Sequence, residues 1–211
     1  MRPVLVGLVA APLLFVASAA RAGETSPVYV RVEAGGTANE AVYERTDATQ
    51  GGRTSSVRGH TFGSALRAQI GYIVVPRFSL AATLAIDYAS ISPTARGTGD
   101  ALATFGRYTQ TSEALEATWI PAGGLRIGGA VGWTTIAFPS TDQDAYVETL
   151  DGTLSGPYWR VLLGYDFRLS SFAWLGVAAR ADFARVTNDR PDGHSTMTSF
   201  APGLSVALTF R

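Results

Sequence analysis

The C-terminal stretch, residues 198–211, alternates strictly between two kinds of side chain. One set is Phe200, Pro202, Leu204, Val206, Leu208 and Phe210, and the other is Ser199, Ala201, Gly203, Ser205, Ala207 and Thr209. A period of two is typical of a β-strand with one apolar face and one small or polar face. Such a strand needs a partner. We predict that it pairs with residues 28–34, the first stretch with the same pattern.

The same alternation recurs between these two stretches and predicts eight antiparallel strands, with no comparable helical pattern. The connections alternate in length: long ones at residues 43–58, 90–104, 137–155 and 186–197, and short turns at 75–77, 121–124 and 170–171. Such an order places every long loop at one end of the sheet and both termini at the other. This organisation predicts an all-β fold, an eight-stranded antiparallel up-and-down β-barrel, and is typical of outer-membrane barrels. The features described next lead us to predict a transmembrane β-barrel preceded by a cleaved signal peptide.

The first 22 residues predict that signal peptide. Arg2 supplies the positive charge, residues 4–17 the apolar segment, and residues 20–22 the small-x-small cleavage site. A membrane anchor is the alternative interpretation, but the run is short and contains Pro12. We expect residues 1–22 to be removed and residues 23–211 to form the barrel domain.

The composition further limits the classes of protein to which the chain can belong. The chain has no cysteine, so an exported form must be stable without disulfides, which suits a large closed sheet. Its 17 basic and 17 acidic residues balance, and loss of Arg2 and Arg21 leaves a slightly acidic chain. That charge argues against a nucleic-acid partner, which requires a basic surface.

Alternation alone fits both a soluble ligand-binding barrel and a membrane barrel, which differ in which face is apolar. The aromatic residues favour the membrane. Ten residues separate Phe62 from Tyr72, Phe78 from Tyr88, and Phe200 from Phe210. A strand tilted by about 40° climbs roughly 2.5 Å per residue, so this spacing spans about 25 Å, the height of an apolar membrane band. The predicted lipid-interface aromatics are Phe62, Tyr72, Phe78, Tyr88, Trp119, Trp133, Trp159, Phe167, Phe183, Phe200 and Phe210.

The opposite face combines charge with glycine, which makes room for long side chains in a narrow lumen. The predicted lumen charges are Arg31, Glu33, Arg67, Asp87, Glu116, Arg126, Arg160, Asp166, Arg168, Arg180 and Asp182. Because buried charges need partners, we predict that Arg160 pairs with Asp182 and that Glu116 lies diagonal to Arg126. Both signs alternate, which favours a structural plug over the alternative, a narrow ion path or gated pore.

The closing strand, with apolar residues at every second position and a final aromatic, resembles the C-terminal signal of outer-membrane barrels. Across the chain the pattern is similar to that of small eight-stranded outer-membrane β-barrels of the OmpX and OmpA transmembrane-domain type. Arg211 departs from it, since it follows the expected terminal Phe. The resemblance implies an integral outer-membrane location in a Gram-negative cell envelope, contact with outer-membrane lipid and lipopolysaccharide, recognition by the assembly machinery through the last strand, and a monomer.

Enzymatic alternatives centre on the two histidines. His194 precedes Ser195 near the place where the lipid A deacylase family keeps a catalytic His-x-Ser, but here Thr196 occupies the serine position. His60 could serve an acyltransferase only if other polar residues converge on it. The chain offers no transition-metal set, and residues 141–144 lack the rest of a calcium loop. We therefore expect no catalytic residues, no metal and no cofactor.

The function predicted from the sequence is a non-enzymatic outer-membrane barrel with a plugged lumen and external loops for surface interaction. A narrow transport pore and a lipid A acyl-modifying enzyme are the alternatives.

Overall fold

A computed structural model describes residues 27–47, 53–93, 107–121, 123–138, 153–190 and 193–211. The predicted signal peptide lies outside these residues, as does the acidic stretch 141–144. No helix among the described residues has the length and hydropathy needed to cross a bilayer.

Eight antiparallel strands form one closed barrel in chain order, which confirms the predicted fold class. They are β1 (Val28–Asp47), β2 (Arg53–Val75), β3 (Phe78–Pro93), β4 (Arg107–Trp119), β5 (Leu125–Ala137), β6 (Thr153–Arg168), β7 (Ala173–Arg190) and β8 (Gly193–Phe210).

Closure joins the last strand to the first. The β1–β8 register runs from Val30 opposite Phe210 to Asp47 opposite Gly193, which confirms the predicted pairing of the C-terminal stretch with residues 28–34. A closed barrel leaves no sheet edge with unpaired backbone groups, a requirement for a sheet surrounded by lipid.

The three short turns lie at the same end as the termini. In the β4–β5 turn, Gly123 and Gly124 have positive φ angles of 58° and 93°, conformations that favour glycine. The β6–β7 turn is closed by the Leu169 amide, which donates to the Ala173 carbonyl at 2.9 Å. In outer-membrane barrels the short turns are periplasmic, so the end with the short turns is called the periplasmic end below, and the opposite end the extracellular end.

Two of the predicted long loops are wrong. The stretch 43–58 is largely strand, because β1 continues to Asp47 and β2 begins at Arg53. Likewise, most of residues 186–197 belong to β7 and β8, which end and begin at Arg190 and Gly193. These stretches are polar on the outer face, so the apolar alternation used to find strands in lipid does not extend through them.

The outer face is apolar over the middle of the barrel and the inner face is polar. Large apolar side chains that are more than half exposed include Leu66, Leu115, Val131, Val161, Leu163, Leu204 and Val206. Buried side chains include many charged and hydroxyl groups. This distribution is the reverse of a soluble barrel and matches a membrane barrel.

Candidate functional site in the barrel interior

Strands β1 to β7 each place at least one charged side chain inside the barrel. The ten charged side chains, called the charged cluster below, are Arg31, Glu33, Arg67, Asp87, Glu116, Arg126, Arg160, Asp166, Arg180 and Asp182, and each is at most 8% exposed. Five are arginines and five are carboxylates. Inward and outward positions alternate along each strand, which is how these side chains reach a shared interior.

Arg168, the remaining side chain predicted to face the lumen, is exposed instead. It is the last paired residue of β6, opposite Trp174. Its Nε donates to the Ser170 carbonyl at 3.0 Å, within the β6–β7 turn. Arg168 therefore lies at the periplasmic end of β6, where its side chain is exposed and not enclosed by the barrel.

Asp182 is the most heavily bonded carboxylate of the charged cluster. Arg160 Nε donates to its Oδ1 at 2.8 Å, and Arg67 Nη2 donates to its Oδ2 at 3.0 Å. Arg180 Nε lies 3.2 Å from Oδ2, and the Tyr158 hydroxyl also donates to Asp182. These hydrogen bonds and ion pairs offset the free-energy cost of burying the Asp182 carboxylate away from water.

Two glutamates extend these contacts around the wall. Arg180 Nη1 donates to Glu33 Oε1 at 2.7 Å. On the other side, Glu116 Oε2 accepts from Arg160 Nη1 at 3.2 Å and from Gln69 Nε2 at 2.8 Å. The side chains thus cross the bore between strands that are not neighbours, so they fill the interior as well as neutralising one another.

Asp166 lies nearer the periplasmic end. Arg31 Nη1 donates to its two oxygens at 3.0 and 3.3 Å, and to Thr209 Oγ1 at 2.8 Å. Arg126 Nε lies 3.3 Å from Asp166 Oδ1. Two guanidinium groups therefore share one carboxylate here.

Of the two charge contacts predicted from the sequence, the structure contains one. Arg160 and Asp182 are directly opposite in the β6–β7 register. Glu116 lies opposite Ala130 and not beside Arg126, because the β4–β5 pairing starts only at Trp119 opposite Ile127. The predicted turn at residues 121–124 did not by itself fix this register.

Glycines on the inner face make room for the arginines, as the sequence suggested. A Cβ atom on Gly176 would lie 2.5 Å from Arg31 Nη2, and a Cβ on Gly164 would lie 3.1 Å from Arg126 Nη2. Both distances are shorter than ordinary contacts between carbon and nitrogen, so a side chain at either position would displace a guanidinium.

An apolar layer above the charged cluster was missed by the sequence analysis. It is called the apolar seal below and consists of Ala41, Tyr43, Ala89, Tyr108, Ile136, Leu154, Val186 and Met197. Seven strands contribute to it, and Ile136, Val186 and Met197 are fully buried. The signal for it was present as inward apolar residues near the extracellular strand ends, but Tyr43, Leu154, Val186 and Met197 lie in three stretches that were predicted to be loops.

The eleven aromatic residues predicted to meet lipid all lie on the outer face. Nine of them are exposed, and Phe78 and Phe210 are partly buried. The group near the periplasmic turns is Tyr72, Phe78, Trp119, Phe167 and Phe210, and the group nearer the extracellular end is Phe62, Tyr88, Trp133, Trp159, Phe183 and Phe200. Within the second group, the rings of Phe183 and Phe200 are 4.9 Å apart.

The histidines lie outside the barrel interior. His194 is exposed on β8, where its Nδ1 contacts Asp189 and its Nε2 lies 2.9 Å from Thr196 Oγ1. Ser195 instead accepts a hydrogen bond from the Tyr43 hydroxyl at 3.0 Å. A serine nucleophile needs the histidine as its hydrogen-bonded base, so this arrangement does not assemble the pair considered from the sequence. His60 is exposed on β2, opposite Glu40.

Within the part of the chain that the structure describes, no group of three or more His, Asp or Glu side chains could hold a metal ion. The interior carboxylates are spread between arginines, which compete with a cation for them.

The fold is similar to those of several solved outer-membrane protein structures. No protein-family model matches the chain, and no curated protein matches it in sequence. Among solved structures, the outer-membrane protein OprG from Pseudomonas aeruginosa matches with a TM-score of 0.50 and 11% identity, covering 90% of this chain and 98% of that one. Neisserial surface protein A matches with a TM-score of 0.46, 14% identity and coverage of 88% and 97%. The outer-membrane protease OmpT from Escherichia coli matches with a TM-score of 0.44, 10% identity and coverage of 87% and 96%.

At these identities the likeness concerns the fold alone. Combined with the apolar outer face and the charged interior, it defines the class: the protein is a small eight-stranded outer-membrane β-barrel, integral to the outer membrane.

Proposed function

We propose that this protein is a non-enzymatic, non-conducting outer-membrane barrel that presents its extracellular strands to partners at the cell surface. The observation that carries the proposal is the filling of the interior by two layers in series, the charged cluster and the apolar seal. An eight-stranded barrel encloses just enough space for side chains. A solute would have to displace both layers to pass.

The interaction surface in this proposal is the wall formed by β2, β1, β8 and β7. Pairing between these strands continues to Asp47, Arg53, Arg190 and Gly193. They therefore extend past the group of aromatic residues nearer the extracellular end. The outer face of this wall is polar. It carries exposed charged or ring-nitrogen groups on Glu44, Arg58, His60, Arg185 and His194, which suits contact with lipopolysaccharide or with another protein. Insertion through the assembly machinery by way of β8, and a monomeric state, belong to the same proposal.

Planar-bilayer recording tests the closed state directly. The folded full chain, inserted from detergent, is expected to give no steady conductance, with heat-dependent gel mobility as the control for correct folding. A variant that opens both layers, Asp182→Ala with Ile136→Ser and Met197→Ser, should show conducting events if it still folds. Steady conductance of the wild type would overturn the plugged barrel and favour the transport pore.

Mass spectrometry of lipid A tests whether the protein lacks lipid A-modifying activity. Expression of the chain in a Gram-negative host should leave the lipid A mass spectrum unchanged. A changed acylation pattern that disappears with His194→Ala or His60→Ala would instead establish the lipid A-modifying alternative.

A further inference from the structure

The periplasmic mouth of the barrel has more positive than negative charge. Arg31, Arg126 and Arg211 line one small cavity there, and Asp166 is the carboxylate that lines it with them. The cavity has a volume of about 40 Å³ and is also lined by Thr209. Arg31 and Arg126 are 1% and 5% exposed. Both side chains are therefore largely inaccessible to bulk water.

These guanidinium groups have unused donors. Among the described residues, Arg31 Nε and Nη2, Arg126 Nε and Nη2, and Arg211 Nε are buried and have no hydrogen-bond acceptor. The contact of Arg126 Nε with Asp166 at 3.3 Å is an ion pair without hydrogen-bond geometry. Buried charged groups are strongly stabilised by hydrogen-bonded counter-charges and costly without them. Five nitrogens without an acceptor, on three residues that line one cavity, favour the binding of an anion there.

The neighbouring carboxylates do not supply that anion. Glu33 Oε2 is 3.9 Å from Arg31 Nε, beyond hydrogen-bond range, and Glu33 Oε1 is already held by Arg180 at 2.7 Å. Three guanidinium groups and one side-chain carboxylate line this cavity, so its lining side chains carry more positive than negative charge.

The cavity adjoins an open basin at the barrel mouth. The basin has a volume of about 510 Å³ and shares Pro76, Ile120, Asp166 and Arg211 with the small cavity. Arg168, exposed at the end of β6, lies on its wall, and Arg211 sits 4.5 Å over the ring of Trp174 there. A phosphate group could enter the cavity while the remainder of its molecule occupies the basin.

We propose that this periplasmic mouth binds a phosphate group. A phosphate monoester carries a charge of about −1.5 to −2 at neutral pH, which matches the excess of positive charge. Guanidinium groups bind phosphate oxygens through paired N–H donors, and the unused nitrogens of Arg31 and Arg126 provide such donors. A single carboxylate ligand would leave part of the charge uncompensated. The two sources of such a phosphate monoester are a small soluble ester and the headgroup of phosphatidic acid in the periplasmic leaflet.

Calorimetric titration of the folded full chain in detergent, with inorganic phosphate at low ionic strength, tests this site. We expect saturable binding by the wild type and binding weakened by about tenfold or more in Arg126→Gln, since a charge-assisted hydrogen bond is lost. Arg126→Lys keeps the charge but not the paired donors, so its affinity should fall between the two.

Asp166→Asn gives a change of the opposite sign. It removes the carboxylate that competes for Arg31 and Arg126, so phosphate should bind several-fold more tightly and should raise the temperature of the heat-dependent gel shift. A purely structural role of these residues predicts no such gain. Arg77→Gln, an exposed arginine at the adjacent periplasmic turn, is the matched control and should leave binding within about twofold.

The source of the phosphate is resolved by repeating the series with glycerol 3-phosphate and with nanodiscs containing phosphatidic acid, whose headgroup is a phosphate monoester. Weaker binding in Arg126→Gln together with tighter binding in Asp166→Asn supports the proposed site. The probe for which both changes are seen identifies the source of the phosphate. If Arg126→Gln does not fold, the titrations of the wild type and of Asp166→Asn still test whether the site binds phosphate. The proposal is overturned if no probe binds saturably or if binding is unchanged in both variants.

Discussion

The part of the barrel inside the membrane and the part above it use the same strands with opposite polarity. Within the membrane belt, Leu204 points outward on β8, while Arg180 opposite the neighbouring Gly203 points inward. Above the belt, Met197 on the same strand is fully buried inside, and Thr198 is exposed outside. The inward and outward positions keep their period of two, but the chemistry of the two faces is exchanged.

The exchange follows from what surrounds each part. Lipid favours apolar side chains on the outer face, so polar residues are confined to the interior and must pair with one another. Water surrounds the extracellular extension, so apolar side chains gain by burial inside it, as in a soluble barrel. One closed sheet therefore has two interiors, one held by ion pairs and the other by packing.

The largest effect is expected where a buried charge loses its partner. Asp182→Asn removes the counter-charge of Arg67, Arg160 and Arg180, all within 3.2 Å of its carboxylate. Removing one partner from a buried pair costs about 3–5 kcal/mol, so denaturant unfolding in lipid vesicles should show a loss of that order.

Asp189→Asn is the control for that variant, because it is the same change on the same strand at an exposed side chain. Its effect should stay below about 1 kcal/mol. Equal losses in the two variants would mean that the charged cluster does not stabilise the barrel through its ion pairs.

A somewhat smaller effect is expected in the apolar seal. Ile136 is fully buried there, and Ile136→Ala should destabilise the barrel by about 2–4 kcal/mol through the cavity that it leaves. Ile136→Val should cost about 0.5–1.5 kcal/mol, whereas Thr135→Ala on the outer face should be close to neutral. The same unfolding measurement checks the series. A flat response to all three would contradict tight packing of the seal.

The sequence predicted the membrane part well because lipid imposes one rule on every strand. Apolar residues must recur at every second position, and that rule located the eight strands, the pairing of β1 with β8, and the inward positions of ten charged residues. The eleventh, Arg168, could not be placed, because alternation does not say where a strand leaves the barrel. Pairwise contacts such as Glu116 with Arg160 depend on the register, which the sequence left open at the β4–β5 turn.

The extracellular extension was harder to predict because water imposes a weaker pattern. The described outward residues of the stretches 43–47 and 53–58 are polar: Glu44, Thr46, Thr54, Ser56 and Arg58. A search for apolar alternation therefore ends at the membrane boundary. The apolar seal requires residues from seven strands to meet, and that convergence appears only once the register of every pair is known.

The boundary between the two parts can be located by placing a charge on the outer face at two heights. Leu204 is 71% exposed and lies between Phe200 and Phe210 on β8. Leu204→Arg should cost about 2–4 kcal/mol if this position faces the bilayer interior. Thr198→Arg, on the extracellular side of Phe200 of the same strand, should cost less than about 1 kcal/mol. Refolding into vesicles followed by unfolding titration measures both, and similar costs at the two positions would place the membrane boundary elsewhere.

The smallest effect is expected from an ion pair outside the barrel. Arg58 Nη2 lies 2.5 Å from Glu40 Oε1, but the side chains are 65% and 36% exposed. Exposed pairs contribute about 0–1 kcal/mol, and salt screens them. A double-mutant cycle of Arg58→Gln and Glu40→Gln should give a coupling below about 1 kcal/mol that disappears at high salt, whereas the loss caused by Asp182→Asn should persist there. Because both sites contain arginine and a carboxylate, a salt-sensitive loss at Asp182 would mean that water reaches the charged cluster, and the comparison between a sealed interior and an open surface would fail.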